Sequence, residues 1–361
     1  MNFASDNTSG AHPKVLQAMS QVDAGPAMPY GNDPVTQRAQ DRLREVFEHD
    51  RLAAYPLATG TAANALTLAC LTPPWGAVYC HRDSHINTDE CGAPEMFADG
   101  AKLIPLDGDD GKLTPQTVAA ALAAHTPGFV HAVQPHVLAL TQATEAGTVY
   151  TPGEVAALAE VAHAHGLKVQ MDGARFANAL VTLGCTPAET TWKAGVDVLA
   201  FGATKNGTLA AEAAVFFDPE LAAGFEYRRK RAGHLFSKMR YLSAQLEAYL
   251  ADDVWLLNAR HANDLASRLG DGLAALPGCR LLHPVQANEV FCELPADLAD
   301  ALAQDGFTFY RWGTGGGGSG GDAGDAGGAR VGVRLVVSWN SEPAHVDALL
   351  NAARRHGAQA A

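Results

Sequence analysis

The run VQMDGARFANAL, Val169 to Leu180, and the run DVLAFGATKNG, Asp197 to Gly207, decide how this chain folds and where its chemistry lies. Val169 to Met171 is a short strand that ends in an acid, Asp172. Gly173 is then expected to let the backbone turn into a helix with Arg175 in its first turn. The second run repeats the plan: apolar Val198 to Phe201 leads into Gly202, and Lys205 follows on a turn between small residues, Ala203 and Thr204 before it, Asn206 and Gly207 after it. The pattern therefore delivers a carboxylate and a lysine from the ends of two neighbouring parallel strands. Pyridoxal phosphate needs that pair, an amine for a Schiff base and an acid to keep the ring nitrogen protonated. The plainer alternative is an ion pair between Asp172 and Arg175 at a strand end, with Lys205 a loop lysine.

Size and composition suit such a frame. The 361 residues are enough for one large and one smaller domain, and 47% hydrophobic with 18% charged residues is ordinary globular composition. Acids outnumber bases by 39 to 26, for a net charge of −13, which argues against a nucleic-acid surface. The one basic cluster, Arg228 to Arg231, reads first as a solvated helix face. Six cysteines lie scattered without CxxC pairing, which suits a reducing compartment and argues against a structural zinc; no metal site is expected. MNFASDNTSG has no signal-peptide pattern and no apolar run approaches membrane-spanning length, so a soluble, cytoplasmic protein is expected.

Other segments fill in the frame. Ser5 to Gly10 is a polar arm leading to a helix at Pro13, and Asp33 can cap a helix that opens at Pro34 and runs to about Glu48. Ala53 to Ala58 is strand-like, and TGTAAN, Thr59 to Asn64, passes straight into the helix ALTLACL. Unpaired N–H groups and the helix dipole make such a junction either an anion site or a simple structural turn. A strand at Ala77 to Cys80 precedes HRDSHINTDE, with His81 and His85 just past its end. Strands and helices then alternate, with helices at Thr114 to Ala124 and Pro152 to His165, as a doubly wound sheet demands. After a strand at Ala213 to Phe217, a helix from about Glu220 carries the basic cluster towards a long helix ending at Leu250. The remainder reads as a smaller domain: a helix from Val254 to Leu276, strands at Arg280 to His283 and Glu289 to Leu294, a helix at Leu298 to Gln304, then strands at Phe307 to Trp312 and Val331 to Trp339. Between the last two, Gly313 to Gly328 has too few side chains to pack and is expected to be a flexible insertion. The expected division is an arm over 1–14, a large cofactor domain over 15–249 and a small domain over 250–361.

DGAR, the lysine turn and SHI, taken together, resemble the threonine aldolase and β-eliminating lyase family of fold-type I pyridoxal phosphate enzymes. The resemblance runs from Ser5 to Arg334. It implies the aminotransferase-like α/β fold, a large, mostly parallel doubly wound sheet domain with a smaller α+β C-terminal domain. It implies roles as well: Lys205 holds the cofactor, Asp172 its ring nitrogen, and Gly60, Thr61 and Ala62 its phosphate. His85 lies flat against the ring, with Glu90 behind it as a proton relay. Ser5, Arg175 and Arg334 would hold the substrate carboxylate, Arg175 also touching the cofactor, while Arg231 and Arg240 are nominated for the phosphate. Tyr30, in YGNDP, is expected near the cofactor site of an adjoining subunit, and the family implies a homodimer or homotetramer with sites at the subunit boundary.

One departure stands out. Where many threonine aldolases carry a histidine turn, this chain reads Leu140-Thr141-Gln142-Ala143-Thr144-Glu145, placing the histidine position at Ala143 or Thr144, with His136 as a substitute. The expected activity is cleavage of a β-hydroxy-α-amino acid of the threonine or phenylserine type into glycine and an aldehyde, with His85, Glu90 or a water taking the β-hydroxyl proton. Thr144, His136 and Asp89 are candidates for shaping the side-chain pocket. β-Elimination or transamination on the same scaffold, and a cofactor-free binding protein, are the alternatives.

Overall fold

A computed structural model describes residues 1–313 and 330–359. The sheet strands are β1 Ala53–Leu57, β2 Gly76–His81, β3 Lys102–Leu106, β4 Gln134–Thr141, β5 Lys168–Gly173, β6 Val198–Gly202 and β7 Glu212–Phe216. They form one seven-stranded sheet in the order β1-β7-β6-β5-β4-β2-β3. Only β7 runs against its neighbours, pairing antiparallel with both β1 and β6, so the other six strands point one way. Strands β2, β6 and β7 are buried along their whole length, as expected where helices cover both faces of a sheet.

The helix Gly60–Leu71 shows why the layers hold. Nearly all its residues are buried, so it is apolar all round and sits sandwiched between the sheet and outer helices. Its Leu66 and Leu68 join Val78, Val137, Val198 and Phe216 in one core, while Leu138, Val169, Leu199 and Phe201 build the core on the opposite sheet face. Because the six strands are parallel, their C-terminal ends share one edge, where open α/β sheets bind ligands.

A second, antiparallel sheet comprises β8 Arg280–Leu281, β9 Glu289–Pro295, β10 Tyr310–Trp312 and β11 Arg330–Val336, in the order β10-β11-β9-β8. The 21-residue helix Val254–Ala274 spans both bodies: Trp255 and Ala259 sit in the large core, Leu265, Leu269 and Leu273 in the small one. The N-terminal arm is stitched to the second body, with Phe3 donating to the Thr308 carbonyl and accepting from Val336, and its ring buried there.

The differences from the expected elements have local causes. Gly173 stays in the strand; a Cβ there would sit 2.8 Å from Leu199 Cδ1 and 2.9 Å from the Ala200 carbonyl, so glycine is needed for close packing and not for a turn. Arg175 is the cap before the helix Phe176–Leu183 and lies outside its first turn. The helix expected from Glu220 is broken by Gly224, with φ +80°, into a 3-10 turn at Pro219–Ala222 and a helix at Phe225–Arg231. A helix at Pro343–Gln359, not anticipated, closes the chain. Residues 314–328 of the glycine-rich insertion lie outside the described residues. Among the described residues no helix is long and apolar enough to cross a membrane.

Candidate active site

The shared strand edge carries a cavity of about 260 Å3, joined through Asn7, His85 and Lys205 to a second of about 210 Å3. Lys205 rides on the short turn Thr204–Asn206 after β6. That turn is pinned from both sides. Asn206 donates to the Tyr249 hydroxyl at 2.7 Å and to the Trp255 carbonyl at 2.8 Å, while the Ala203 N–H donates to Glu212 Oε2 at 3.0 Å. Gly207, at φ +117°, lies so close to Asn258 Nδ2 that a Cβ would stand 2.8 Å away. The lysine stem is thus fixed, and its side chain lines both cavities.

Asp172 enters from β5, one strand over. Its two oxygens are oriented by the Ala174 N–H at 2.9 Å and Asn64 Nδ2 at 2.7 Å. The same Asn64 amide donates to Glu90 Oε1 at 2.9 Å and accepts from Gln170 at 3.0 Å, which fixes its orientation. Glu90 also bonds His85 Nδ1 at 2.8 Å. Burial would lower the His85 pKa, but this bond and the charges of Glu145 and Asp172 outweigh it and the pKa is raised. Glu90 is raised too, by its burial and by Asp172. His81 instead bonds the Gly108 carbonyl and stays a bystander.

At the far end of the first cavity the helix Gly60–Leu71 begins. Thr59 caps it through Ala62 N–H at 3.2 Å, so Ala62, expected to hold phosphate, has its amide occupied. Gly60 and Thr61 N–H have no partner within the helix, and Thr59, Gly60, Thr61 and Thr204 line the cavity there. A phosphorylated pyridine aldehyde fits this donor set: an anion end at Gly60 and Thr61, an acid at Asp172, an amine at Lys205 and the His85 imidazole on the lining.

The second cavity is lined by Ser5, Asp83, Asp89, Glu145, Arg175, Tyr310, Trp312 and Arg334 besides the shared residues. Arg334 lies 5.2 Å from the Tyr310 ring and 4.9 Å from the Trp312 ring, donates Nη2 to the Ala4 carbonyl at 3.3 Å, and keeps a buried Nε without a partner. An arginine so stacked, with a donor to spare, is shaped for a carboxylate. Arg175, on the same lining, is engaged within the chain. Its Nε and Nη2 make a bidentate pair with Asp6 at 2.8 and 3.2 Å, and Nη2 lies 3.2 Å from Glu289. These contacts tie the arm to β9 at the cavity wall. Ser5 lines the cavity, but its hydroxyl accepts from Asn7 N–H at 3.1 Å.

Several expected residues lie elsewhere. Arg231 is exposed, and Arg240 donates to the Val22 carbonyl in a separate groove; neither lines the cavity of this chain. Tyr30, 44% exposed, lies away from it as well, with Lys230 4.7 Å from its ring. His136 stands near the start of β4, at the opposite end from the site, with Nδ1 on the Gln134 carbonyl. Thr144 is buried in a turn and does not face the pocket. Asn64, Asp6, Glu289 and Glu212 were not foreseen. Of these only Asn64 had a local signal, since it follows Thr61 by three residues and Gly60 by four, on one helix face.

The beta-eliminating lyase family model matches residues 2–297. The chain belongs to that family. Among relatives of this lyase, a low specificity L-threonine aldolase from a Pseudomonas species is 43% identical over 95% of this chain and 94% of its own length. A protein of the same description from Pseudomonas aeruginosa is 46% identical over 87% of this chain and 90% of its own. The threonine aldolase of Leishmania major superposes with a TM-score of 0.89 at 28% identity, covering 99% of both chains. The lyase described here therefore has the architecture of the fold-type I pyridoxal phosphate enzymes.

Proposed function

We propose that the protein is a pyridoxal phosphate-dependent aldolase that cleaves a β-hydroxy-α-amino acid of L configuration into glycine and an aldehyde. The observation that carries this reading is the cavity itself: Lys205, Asp172, His85 and the Gly60–Thr61 helix start converge on one space, and Arg334 waits beside it. When bound, the cofactor supplies an electron sink for the pair released from the substrate's Cα. The protein's residues do the rest. Asp172, fixed by Asn64, would hold the ring nitrogen, and His85, fixed by Glu90, would lie against the ring. Arg334 anchors the carboxylate, with Arg175 and Ser5 beside it, so that the Cα–Cβ bond can be held perpendicular to the ring. The named relatives at 43% and 46% identity favour this reading over elimination or transamination.

The reading extends to a homo-oligomer of at least two chains in the cytoplasm. Leu16, Met28, Tyr30, Leu209 and Phe236 are large, apolar and exposed in the single chain, and Arg231 is free of the chain's own cavity. A native mass of at least twice 37.8 kDa is expected from light scattering. The three-part division at residues 14 and 249 is likewise proposed, on the two separate cores.

Glycine release from threonine and phenylserine, followed beside a Lys205→Ala variant, tests the activity. Wild type should release glycine and aldehyde in equal amounts, and the variant should lose at least about a thousandfold of the rate. Release of ammonia and a keto acid instead would sink the aldolase reading.

A further inference from the structure

The β-hydroxyl proton needs an acceptor, and the turn after β4 holds one side chain that nothing above has used. Gln142 Nε2 donates to the Tyr150 carbonyl at 2.8 Å, and Tyr150 N–H returns a bond to Gln142 Oε1 at 2.9 Å. Inside that brace the Thr144 hydroxyl meets Thr148 Oγ1 at 2.7 Å, and Thr148 donates to the Asp110 carbonyl at 2.7 Å. Gly147, at φ +71°, packs so tightly that a Cβ would stand 3.3 Å from Glu289 Cβ. The turn is rigid, and from Gln142 to Tyr150 every residue but one is buried. The exception is Glu145, and it lines the substrate cavity. Ala143, one of the two expected histidine positions, packs against Val149, Ala179 and Ala287, while Thr144, the other, closes the turn.

Resting on the aldolase reading, we propose that Glu145 is the base that takes the proton from the substrate's β-hydroxyl. Among the described residues its carboxylate makes no hydrogen bond and no ion pair, so both oxygens are free to accept. It also stands between the two things that fix the substrate. Its charge raises the pKa of His85 on the ring side and of Arg175 on the carboxylate side. The reacting carbons must lie between those same two markers. The other titratable groups on this lining are placed differently: His85 Nδ1 is bonded to Glu90, Asp89 Oδ2 accepts from Thr88 at 2.7 Å, and Asp83 has Oδ1 buried away from the cavity and Oδ2 4.0 Å from His81.

In the step, the O–H bond breaks and its proton passes to Glu145. The O–H electron pair becomes the second bond of the aldehyde carbonyl, and the Cα–Cβ pair is left on Cα. Glycine is completed when Cα takes up a proton from solvent, and Glu145 returns its own to solvent through the cavity mouth.

The test uses holoenzyme carrying Glu145→Gln or Glu145→Asp, with three readouts: cleavage of threonine, exchange of the Cα proton of glycine in deuterated water, and the His85 imidazole titration by NMR in cofactor-free protein. Exchange needs the carboxylate anchor and Lys205 but no β-hydroxyl. Glu145→Gln is expected to slow cleavage by about a hundredfold or more while exchange stays within about threefold, and Glu145→Asp to recover part of the rate. The His85 pKa is expected to fall in Glu145→Gln, because a charge that raises it has gone, leaving Glu90, Asp172 and Lys205 around it. Cleavage retained within about tenfold overturns the assignment, as does equal loss of cleavage and exchange, or an unmoved His85. A wild type that exchanges glycine yet releases none from any β-hydroxy amino acid would instead remove the aldolase reading on which the assignment stands.

Discussion

The two halves of the cavity share Lys205, His85 and Asn7 but are built in different ways. In the cofactor half most groups come from strand ends, the turns just after them or the start of a helix, all on one sheet edge. Asp172, Asn64, Glu90 and His85 form one continuous chain of hydrogen bonds. In the substrate half the groups come from four remote places: Asp6 on the arm, Glu145 on a turn, Glu289 on β9 and Arg334 on β11. The first half is rigid by secondary structure. The second is held by contacts between parts remote in sequence, the buried pairing of Arg175 with Asp6 and Glu289 chief among them.

If that contrast is right, damage to the cofactor half should appear in the chemical step. The sharpest probe is Asp172→Asn, which keeps the size and the bond from Asn64 but removes the charge that holds the ring nitrogen protonated. A fall in kcat of about a thousandfold is expected, with KM little changed, as when one preorganised electrostatic contact is lost from a water-excluded site. Steady-state kinetics on threonine, with circular dichroism to verify folding, checks it. A fall of less than about tenfold would mean that Asp172 is an ordinary strand-end acid.

Damage to the substrate half should appear in binding. Arg334→Leu is expected to raise KM for the amino acid about thirtyfold, roughly 2 kcal/mol, with a smaller change in kcat. Arg334→Lys should recover only part, since an ammonium lacks the flat fork that packs beside Tyr310 and Trp312. A pure kcat effect would move Arg334 into the chemistry and blur the distinction between the halves.

The same contrast explains what could be read before any coordinates. The strand-acid-glycine run at Asp172, the lysine turn and the helix start at Thr59 each lie within a dozen residues, so local pattern could bring them to one sheet edge, while their roles came from the resemblance. Arg175 lines the cavity as expected, but the partners it holds within the chain were not legible. The carboxylates that occupy it, Asp6 and Glu289, are 169 and 114 positions away, and no periodicity links them. Arg231 and Arg240 lie away from this chain's own cavity. A run of basic residues is conspicuous in sequence, yet here it faces solvent or a carbonyl, and the buried member of the cluster is Arg229, held by the Pro56 carbonyl at 2.7 Å.

The smallest expected effect concerns Glu212, which belongs to the cofactor half but carries a buried charge of the kind that marks the substrate half. Its burial pushes the pKa up to about 7; the Thr204 hydroxyl, the Ala203 and Thr204 N–H groups and the Lys205 charge oppose that only in part. An acid raised on folding keeps its proton in the native state over a range where the unfolded chain has lost it. Stability is then highest below the ordinary value of 4.5 and declines as pH rises from there to about 7. Glu212→Gln, which resembles the protonated acid, should match wild type near pH 5 and exceed its melting temperature near pH 8 by about 2–4 °C for each kcal/mol relieved. Thermal melts of cofactor-free protein across that range measure it. Wild-type and variant curves that stay parallel would mean that Glu212 ionises freely in the folded protein, its bonds from the Ala203 and Thr204 N–H groups outweighing its burial.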